Sequence, residues 1–555
     1  MNLRGVGVSP GIGHGPSFIL DVFVPEPPEG ATYTGEADQE KERAMVALTQ
    51  VAGELEARGN QAGGEAEEIL KAQALMAEDP GVVVKVRSLI DRGLAAPRAV
   101  FEAFTKYRDV LAGSGGYLGE RAADLDDIRD RVIALLNGQT LPGVQGAPDE
   151  PYVLIARDLA PADTALLTKA SVAAFVTEEG GPTSHTAILA RAMGVPAVVA
   201  CPGATGIPPG VRVMADGTSG EVRVEPAESD VAEAVGAATA RRTALSAVRG
   251  PGRTADGHPV PLLANVGGPA ELAAAVDAGA EGVGLYRTEF LFLDRIEPPS
   301  AEEQRSAYRA ALEAFPGGDV VVRTLDGGAD KPLAFLPVPA EPNPALGERG
   351  LRQFRRFPEV MEAQLGALAA VAAQGLRVMA PMVATAEEAV WFAQACRAKG
   401  LPSAGVMIEI PSAALRAAHL LEPVDFISIG TNDLAQYAFA ADRQVSAVGV
   451  LNDPWQPALL DLVAMTAEAA SSAGKPCGVC GESAADPALA CVFTGLGVST
   501  LSMGAAALAA VRAALAAHTL EQCRRAAEAA RAQVTAARAR VAARAYLPGL
   551  GRLGL

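Results

Sequence analysis

The chain has 555 residues, a length typical of three or four domains, and 49% of them are hydrophobic, which is enough for several apolar cores. No apolar run approaches the roughly 18 residues of a membrane-spanning helix, and the N-terminal sequence lacks the apolar region of a secretory signal, so we expect a cytoplasmic protein. The formal net charge of −18 argues against nucleic acid as a partner, because an acidic protein repels the phosphate backbone.

The N-terminal part combines a short strand-rich segment with a long helical one. The first 20 residues alternate small apolar residues with Gly and Pro, a pattern that predicts short strands. After a Pro-rich break at 25–30, residues 36–137 show helical periodicity and predict an α-helical bundle. With 19 acidic and 13 basic residues, the bundle is itself acidic.

Residues 152–226 change character, because short β-branched runs such as "YVLIA", "VAAFVT" and "VRVMADG" replace the helical pattern. These runs predict a β/α domain. If its strands pair with those of the first 20 residues, the helical bundle is an insertion. The Ala-rich stretch 228–250 predicts a linking helix.

Eight strand-like runs follow in the C-terminal half, separated by helical stretches. In order they are "PLLANV", "GVGLYR", "VVVRTLD", "RVMAPMV", "AGVMIEI", "FISIGTN", "PCGVCG" and "TLSMG". Alternating strands and helices predict a parallel sheet, and eight such units over about 270 residues fit a (β/α)8 barrel. We expect the Ala/Arg-rich C-terminal end to form a solvated helix.

The predicted fold class is therefore α/β multidomain, with a C-terminal (β/α)8 barrel and an N-terminal β/α domain that carries an inserted α-helical bundle. The predicted boundaries are 1–24 and 144–227 for the β/α domain, 25–143 for the bundle, 228–254 for the linker helix, 255–530 for the barrel and 531–555 for the C-terminal tail.

Polar residues close many of the eight barrel runs. Barrel enzymes place catalytic groups at the C-terminal ends of their strands. Guanidinium groups bind phosphate and carboxylate oxygens, and carboxylates such as Glu409 and Asp433 suit Mg²⁺. We therefore expect a small substrate that carries both phosphate and carboxylate. A single such residue is explained by a helix cap or a salt bridge, but a converging set is not. The set is Arg287, Arg323, Asp326, Arg349, Glu409, Asn432, Asp433, Arg443, Cys480 and Glu482.

Six cysteines show no disulfide framework, but Cys477 and Cys480 form a CxxC pair. A zinc site would need a second ligand pair, and the sequence offers none at suitable spacing. A thioredoxin-like redox role is an alternative on these residues alone.

One of only five histidines, His185, lies in "EEGGPTSHTAILARAM", between a strand-like run and a helical run. Thr183 or Ser184 can cap the helix, which would place His185 in the first turn, where free N–H groups favour an anion. Gly180 and Gly181 permit close approach of the backbone. The pattern suits a histidine that becomes phosphorylated. The competing interpretation is a structural histidine at a helix cap; a metal ligand is disfavoured because no other ligand lies at suitable spacing.

The motif "GGPTSHTAILAR" resembles the phosphohistidine motif of the phosphoenolpyruvate-utilising enzymes, and its "TSHTAI" form resembles the enzyme I branch of that family. Further motifs agree in order: "DLAPADTALL", "GAEGVGLYRTEFLF", "NPALGERGLR", "GVMIEIPSAA", "DFISIGTNDLAQYAFAADR" and "CGVCGES". The resemblance extends from about residue 3 to about residue 515.

The resemblance implies that His185 takes the phosphoryl group of phosphoenolpyruvate and passes it to a histidine of a small carrier protein, HPr, as the first step of sugar uptake. It implies Mg²⁺ at Glu409 and Asp433, and a proton from Cys480 for the enolate that becomes pyruvate. It also implies that the bundle docks HPr and that the barrel forms a homodimer. The residues it assigns to substrate binding are Arg287, Arg323, Arg349, Asn432 and Arg443.

The sequence departs from the family at a few positions, and the clearest is Gln73, where the family usually has His. This departure concerns carrier docking and leaves the predicted catalytic set intact.

Pyruvate phosphate dikinase and phosphoenolpyruvate synthase share the histidine and the barrel, but they need a large ATP-binding domain. Only about 150 residues, mostly helical and without a Gly-rich nucleotide loop, precede the motif here. A non-catalytic regulator is disfavoured because the catalytic set is present. A nitrogen-regulatory carrier stays an alternative to HPr, although no sensory domain precedes "LRGVGVSPGIGHG".

Overall fold

The structure of the protein is a computed structural model. It divides into two compact units, Met1–Thr239 and Ala240–Leu555. For His185 the structure describes the backbone only. The described residues are 2–555 without 21–23, 63, 115–121, 140–147, 149, 158, 160–166, 168–170, 181–184, 294, 296, 329–332, 334, 338, 340 and 443–445.

The β/α domain contains an eight-stranded sheet in the order β1-β8-β7-β3-β4-β5-β6-β2. Its long third strand pairs parallel with β4 and antiparallel with β7, so the first 20 residues do complete the sheet formed by 152–226. Glycine is required at Gly13, because a Cβ there would lie 2.0 Å from the carbonyl oxygen of Ala173. The strands are β1 (Asn2–Arg4), β2 (Val6–Ser9), β3 (Ile12–Ile19), β4 (Tyr152–Ala156), β5 (Val172–Thr177), β6 (Ala197–Val199), β7 (Arg212–Asp216) and β8 (Glu221–Val224).

The helical bundle is inserted between β3 and β4, as predicted. Its core is apolar and separate from that of the sheet. The buried Gln73 side chain donates a hydrogen bond of 2.8 Å to Asp124, so the residue that departs from the family links the second and fifth helices. The helices are α1 (Ala37–Ala62), α2 (Gly64–Ala77), α3 (Pro80–Asp91), α4 (Ala96–Ser114) and α5 (Ala122–Leu136); α6 (His185–Met193) belongs to the β/α domain.

The C-terminal unit contains a closed barrel of eight parallel strands, and each of the eight predicted runs contributes one of them. The strands consist largely of buried apolar residues, as expected where helices cover the outside. They are β9 (Leu262–Val266), β10 (Val283–Arg287), β11 (Val320–Arg323), β12 (Leu376–Ala380), β13 (Ala404–Ile408), β14 (Phe426–Ile429), β15 (Cys477–Val479) and β16 (Thr500–Met503).

Helices cover the outside of this barrel, and α7 (Glu228–Ala247) precedes it. Three of them, α10, α12 and α19, begin with capping boxes that satisfy their first N–H groups. No helix in the described part of the chain is both long and apolar enough to cross a bilayer. The barrel helices are α8 (Leu272–Asp277), α9 (Glu289–Phe292), α10 (Ala301–Ala314), α11 (Pro358–Ala369), α12 (Ala386–Ala398), α13 (Pro411–Leu415), α14 (Ala417–Leu421), α15 (Thr431–Phe439), α16 (Pro457–Ala473), α17 (Pro487–Gly495), α18 (Leu508–Ala516), α19 (Leu520–Arg531), α20 (Ala536–Arg544) and α21 (Pro548–Leu553).

Strand side chains alternate between the helix-facing core and the barrel lumen. The helix-facing core is large and continuous. The lumen holds a smaller cluster formed by Leu285, Val321, Met379, Met407, Phe426 and Cys480. Cys480 is thus the member of the lumen cluster with an ionisable side chain.

The prediction of a solvated C-terminal helix is wrong. The segment forms α20 and α21, and Ala539 and Leu550 are buried in the main core. In addition, the backbone N–H of Gly549 donates to Nε2 of His518 at 2.9 Å. The buried residues of α20 are Ala536, Ala539 and Ala543, which lie on one face of the helix. A buried face made only of alanines differs too little in hydropathy from the rest of the helix to be recognised in the sequence.

Replacing Ala539 by Asp should destabilise the C-terminal unit, because the carboxylate would be buried without a partner. We expect the calorimetric midpoint of that unit to fall by roughly 5 °C or more. Val541→Asp, on the same helix but 72% exposed, should change it by about 1 °C or less. Equal shifts for the two variants would show that α20 is solvated after all.

Candidate active site at the barrel rim

The polar residues predicted from the strand ends do converge on one rim. Arg287 and Arg323 end neighbouring strands and stand opposite each other in register. Glu409 follows β13 directly, and Cys480 follows β15. All but Arg287 of these four are more than nine-tenths buried. The rim is the C-terminal face, where barrels of this type bind substrates.

Arg349 lies between two carboxylates. Its guanidinium donates two hydrogen bonds to Asp326, at 3.1 and 3.0 Å, and two to Asp433, at 3.0 and 3.4 Å. It is only 1% exposed, and it also donates to the hydroxyl of Tyr437 at 3.3 Å. This arrangement fixes the loop after β11 against the start of α15.

Arg323 is surrounded by carboxylates in the same way. It pairs with Glu289, and lies 3.5 Å from Asp326 and 3.7 Å from Glu409. Burial lowers the pKa of Arg323, but these carboxylates outweigh burial and raise it, so the guanidinium stays charged. Its Nε and the Oε2 of Glu289 are buried without a hydrogen-bond partner. The Nε is therefore a donor that an anionic ligand can use.

Glu409 is the carboxylate of the cluster whose pKa is raised. Burial, together with the charges of Asp433 and Asp326, raises its pKa to about 7, against the opposing effect of Arg323 and Arg349. One carboxylate oxygen accepts a hydrogen bond of 2.9 Å from the backbone N–H of Met382. A buried carboxylate that is repelled by two others is stabilised by a cation.

The thiol of Cys480 lies near this cluster, among the side chains that face the lumen. Burial raises its pKa to about 11; the Glu409 carboxylate acts in the same direction, whereas a hydrogen bond with Ser428 and the charges of Arg323 and Arg287 oppose it. The thiol is therefore protonated at neutral pH. Cys477 belongs instead to the helix-facing core. Since the two cysteines lie on opposite faces and both are free, the structure gives no support to a CxxC redox pair.

Behind the rim, a buried amide that the sequence analysis did not single out links two of these strand ends. Gln364 on α11 accepts from the backbone N–H of Leu325 at 3.0 Å and donates to the hydroxyls of Thr288 and Tyr308, at 3.2 and 3.3 Å. The Thr288 hydroxyl in turn donates to the carbonyl of Arg323 at 2.9 Å. Gln364 thus orients the ends of β10 and β11. Only its position on a core-facing helix could have indicated this.

The remaining predicted residues are more peripheral or undescribed. Asn432, half-buried, accepts a hydrogen bond of 3.2 Å from the backbone N–H of Glu482, whose side chain is exposed. Arg443 lies outside the described residues. Glu289 was missed as a partner of Arg323, although its place two residues after Arg287 puts it at the rim.

The His185 motif lies in the β/α domain. Helix α6 begins at His185, after β5 and a turn in which Gly180 has a φ of 89°, a conformation that favours glycine. The predicted cap at Thr183 or Ser184, and Gly181, lie outside the described residues.

Two further features bear on what the site can bind. Within the described part of the chain, no group of three or more His, Cys, Asp or Glu side chains could hold a metal by itself. A cavity of about 580 Å³ opens at the opposite, N-terminal end of the barrel. The polar residues predicted from the strand ends that are described above lie at the rim and do not line this cavity.

Comparison with known proteins places this rim and motif in a family. Residues 243–520 match the phosphoenolpyruvate-binding domain of the phosphoenolpyruvate-utilising enzymes, residues 148–220 their mobile domain and residues 4–121 their N-terminal domain. The class is therefore that of the phosphoenolpyruvate-utilising enzymes. A phosphoenolpyruvate-protein phosphotransferase of Streptomyces coelicolor is 61% identical over 508 residues, which cover 90% of this chain and 91% of that protein.

A second phosphoenolpyruvate-protein phosphotransferase, from Haloferax volcanii, is 41% identical over 90% of this chain and 91% of its own length. A multiphosphoryl transfer protein of Rhodobacter capsulatus is 42% identical over 78% of this chain and 54% of its own length. The chain belongs to the phosphoenolpyruvate-protein phosphotransferase family, and its reaction is phosphoryl transfer from phosphoenolpyruvate.

Gln364→Leu tests the support behind the rim. The change leaves the backbone N–H of Leu325 without its partner and removes one hydrogen bond from each of two buried hydroxyls, which should cost roughly 2–4 kcal/mol of unfolding free energy. It should also raise KM for phosphoenolpyruvate several-fold, because the ends of β10 and β11 lose their fixed position. Gln374→Leu, in an exposed loop, is the control. If thermal unfolding and steady-state kinetics show the two variants to be alike, Gln364 does not orient the rim.

Proposed function

We propose that His185 attacks the phosphoryl group of phosphoenolpyruvate bound at the barrel rim, and then passes it to a histidine of the carrier protein HPr. The observation that supports this most is the rim itself: arginines that are kept charged by buried carboxylates, beside a protonated thiol. In the attack, a bond forms between His185 and phosphorus while the bond from phosphorus to the enol oxygen breaks. The enolate then takes a proton at its methylene carbon and becomes pyruvate.

The arginines supply the substrate site in this proposal. Arg287, Arg323 and Arg349 bind the phosphate and carboxylate oxygens, and the unpartnered Nε–H of Arg323 can donate a hydrogen bond to one of them. By resemblance, Asn432 and Arg443 join them. Because their charges are already in place, little reorganisation is needed as charge moves from the phosphate to the enolate.

Glu409 and Asp433 fit a magnesium ion. They are hard oxygen ligands, and burial, together with repulsion from Asp433 and Asp326, raises the pKa of Glu409 to about 7, so a cation would stabilise its charged form. Because the described residues offer no complete metal cage, substrate and water oxygens would supply the other ligands, which is usual for Mg²⁺. The ion would neutralise the phosphate and enolate oxygens.

Cys480 is the proton donor for the enolate. A donor must carry its proton when the enolate forms, and the raised pKa of this thiol ensures that it does. Its place in the lumen, directly after β15, lets it approach the substrate from below the rim.

The helical bundle is the docking site for HPr in this proposal. It is acidic, which suits a basic docking face, and Val46, Leu75 and Val84 each expose more than half of an apolar side chain. A relative named as a multiphosphoryl transfer protein supports a chain of phosphoryl transfers. We further propose a cytoplasmic homodimer, paired through the barrel, that starts sugar uptake.

His185 should be the labelled residue when the protein is incubated with Mg²⁺ and ³²P-phosphoenolpyruvate. The label should be acid-labile and base-stable, should reach about one per chain, and should be absent when the metal is omitted. His185→Ala should take up less than about 1% of it. The control, His258→Ala, changes an exposed histidine and should label normally. If the His185→Ala variant were labelled as fully as the unmodified protein, His185 would not be the residue that accepts the phosphoryl group.

Cys480→Ala should bind phosphoenolpyruvate within about threefold of the unmodified protein but form pyruvate at least about 100-fold more slowly, since general acid catalysis contributes on that scale. Cys477→Ala removes a thiol from the other face of the same strand and should keep the rate within about threefold. Binding is measured by calorimetry, and pyruvate by a coupled assay. Unchanged turnover in the Cys480 variant would show that Cys480 is not the proton donor for the enolate.

A further inference from the structure

The cavity of about 580 Å³ at the N-terminal end of the barrel has no part in the proposed reaction. Its volume lies in the range of small-molecule binding sites, roughly 300–1,000 Å³. The lumen of such a barrel is normally filled by layers of bulky side chains. Here four barrel strands place a glycine or a serine in the cavity wall, and these small residues leave the lower lumen open. They are Gly284, Ser428, Gly478 and Ser502.

One part of the cavity wall is apolar. It contains Leu263, Val321 and Phe426, each of which is less than one-tenth exposed. Val321 and Phe426 are also members of the lumen cluster. A ligand that enters the cavity therefore meets a surface against which an aliphatic or aromatic body can be removed from water, and that burial favours binding.

Arg377 in β12 brings a positive charge to this apolar part of the wall. Its Nε donates a hydrogen bond of 3.1 Å to Asp319, and its Cζ lies 5.5 Å from the centre of the Phe426 ring. Its two terminal nitrogens have no hydrogen-bond partner among the described residues, and the side chain is about a quarter exposed. Those nitrogens are therefore donors that an anionic ligand can use.

Arg524 on α19 is the second arginine of the cavity wall, and it is exposed to solvent. Within the described part of the chain it has no ion-pair partner, unlike its neighbour Arg525, whose Nε lies 2.9 Å from Glu521. Asp319 is the only carboxylate among the described residues that line the cavity. In a chain with a net charge of −18, this local excess of positive charge favours a bound anion.

A hydroxyl group adds a neutral hydrogen-bond partner to the same wall. Thr500 in β16 lines the cavity opposite Gly478 of the neighbouring strand. A Cβ at position 478 would lie 2.7 Å from Oγ1 of Thr500, so glycine at that position leaves space beside the hydroxyl. A hydroxyl can donate to the oxygen of a carboxylate or a phosphate. The cavity wall thus combines apolar surface, a hydroxyl donor and unpaired guanidinium groups.

We propose that this cavity binds a small organic anion, in which a carboxylate or phosphate group is attached to an apolar body. Arg377 and Arg524 bind the anionic oxygens, and the apolar part of the wall contacts the body. The ligand enters at the N-terminal end of the barrel, whereas the proposed function places phosphoenolpyruvate at the rim. The two molecules therefore bind at the same time, and the cavity site does not depend on the proposed mechanism.

Isothermal calorimetry with simple probes tests the site. Phenyl phosphate and phenylacetate carry an anionic group on an apolar body, whereas benzyl alcohol lacks the charge and inorganic phosphate lacks the body. At least one of the two organic anions should bind about tenfold more tightly than benzyl alcohol and inorganic phosphate, and the tighter of the two identifies the preferred anionic group. An excess of phosphoenolpyruvate and Mg²⁺ should leave its dissociation constant unchanged within about twofold.

Arg524→Gln should weaken binding of that organic anion at least about fivefold, because it removes a guanidinium group from the cavity wall. Arg525→Gln is the matched control: it removes the next charge on α19, which is 61% exposed and outside the cavity, and should change the affinity by about twofold or less. Arg377→Gln should weaken binding as strongly as Arg524→Gln and keep the rate of phosphoryl transfer within about twofold.

The Arg524 and Arg525 variants change surface residues, so their comparison decides the matter even where Arg377→Gln lowers stability. Equal affinities in these two variants, or displacement of the probe by phosphoenolpyruvate, would overturn the proposal. Failure of both organic anions to bind, or equally tight binding of benzyl alcohol, would overturn it as well. None of these results bears on the labelling of His185, which tests the proposed function separately.

Discussion

The burial of four carboxylates and two arginines at one end of the barrel is the constraint on which the site depends. Glu289, Asp326, Glu409 and Asp433 surround Arg323 and Arg349, and all six are more than nine-tenths buried. Removing either arginine from such a cluster leaves buried carboxylates uncompensated, which typically costs about 3–5 kcal/mol. The four carboxylates outnumber the two arginines, so the cluster favours the binding of a cation. A bound cation and the arginines would together favour the binding of a highly charged anion.

The alternation of side chains along the barrel strands decides which residues face the lumen. Successive residues of a strand point alternately to the helices and to the lumen, so β15 places Cys477 in the helix-facing core and Cys480 beneath the rim. Glycine and serine at inward positions then leave an open lower lumen, and Gly478 is the clearest case. The same alternation therefore places the two cysteines of the CxxC pair in different surroundings.

Much of this could be predicted from the sequence. The different periods of strand and helix patterns predicted all eight barrel strands. The rule that catalytic groups follow parallel strands predicted that Arg323, Glu409 and Cys480 lie at one rim, which is where the structure has them. Contacts between residues far apart in sequence could not be found in this way. Gln364 looks like any polar residue of an amphipathic helix, and its role depends on hydrogen bonds to residues 39 to 76 positions away. The buried C-terminal helices were missed because alanine is compatible with both surface and core.

The cooperative binding of Mg²⁺ and phosphoenolpyruvate tests the central claim most directly. If Glu409 and Asp433 hold the ion only together with substrate oxygens, calorimetric titration should show that each ligand tightens the binding of the other at least tenfold, and that Glu409→Gln abolishes this coupling. Independent binding of the two ligands, or unchanged coupling in the Glu409 variant, would contradict the assignment of the metal and substrate to this buried cluster.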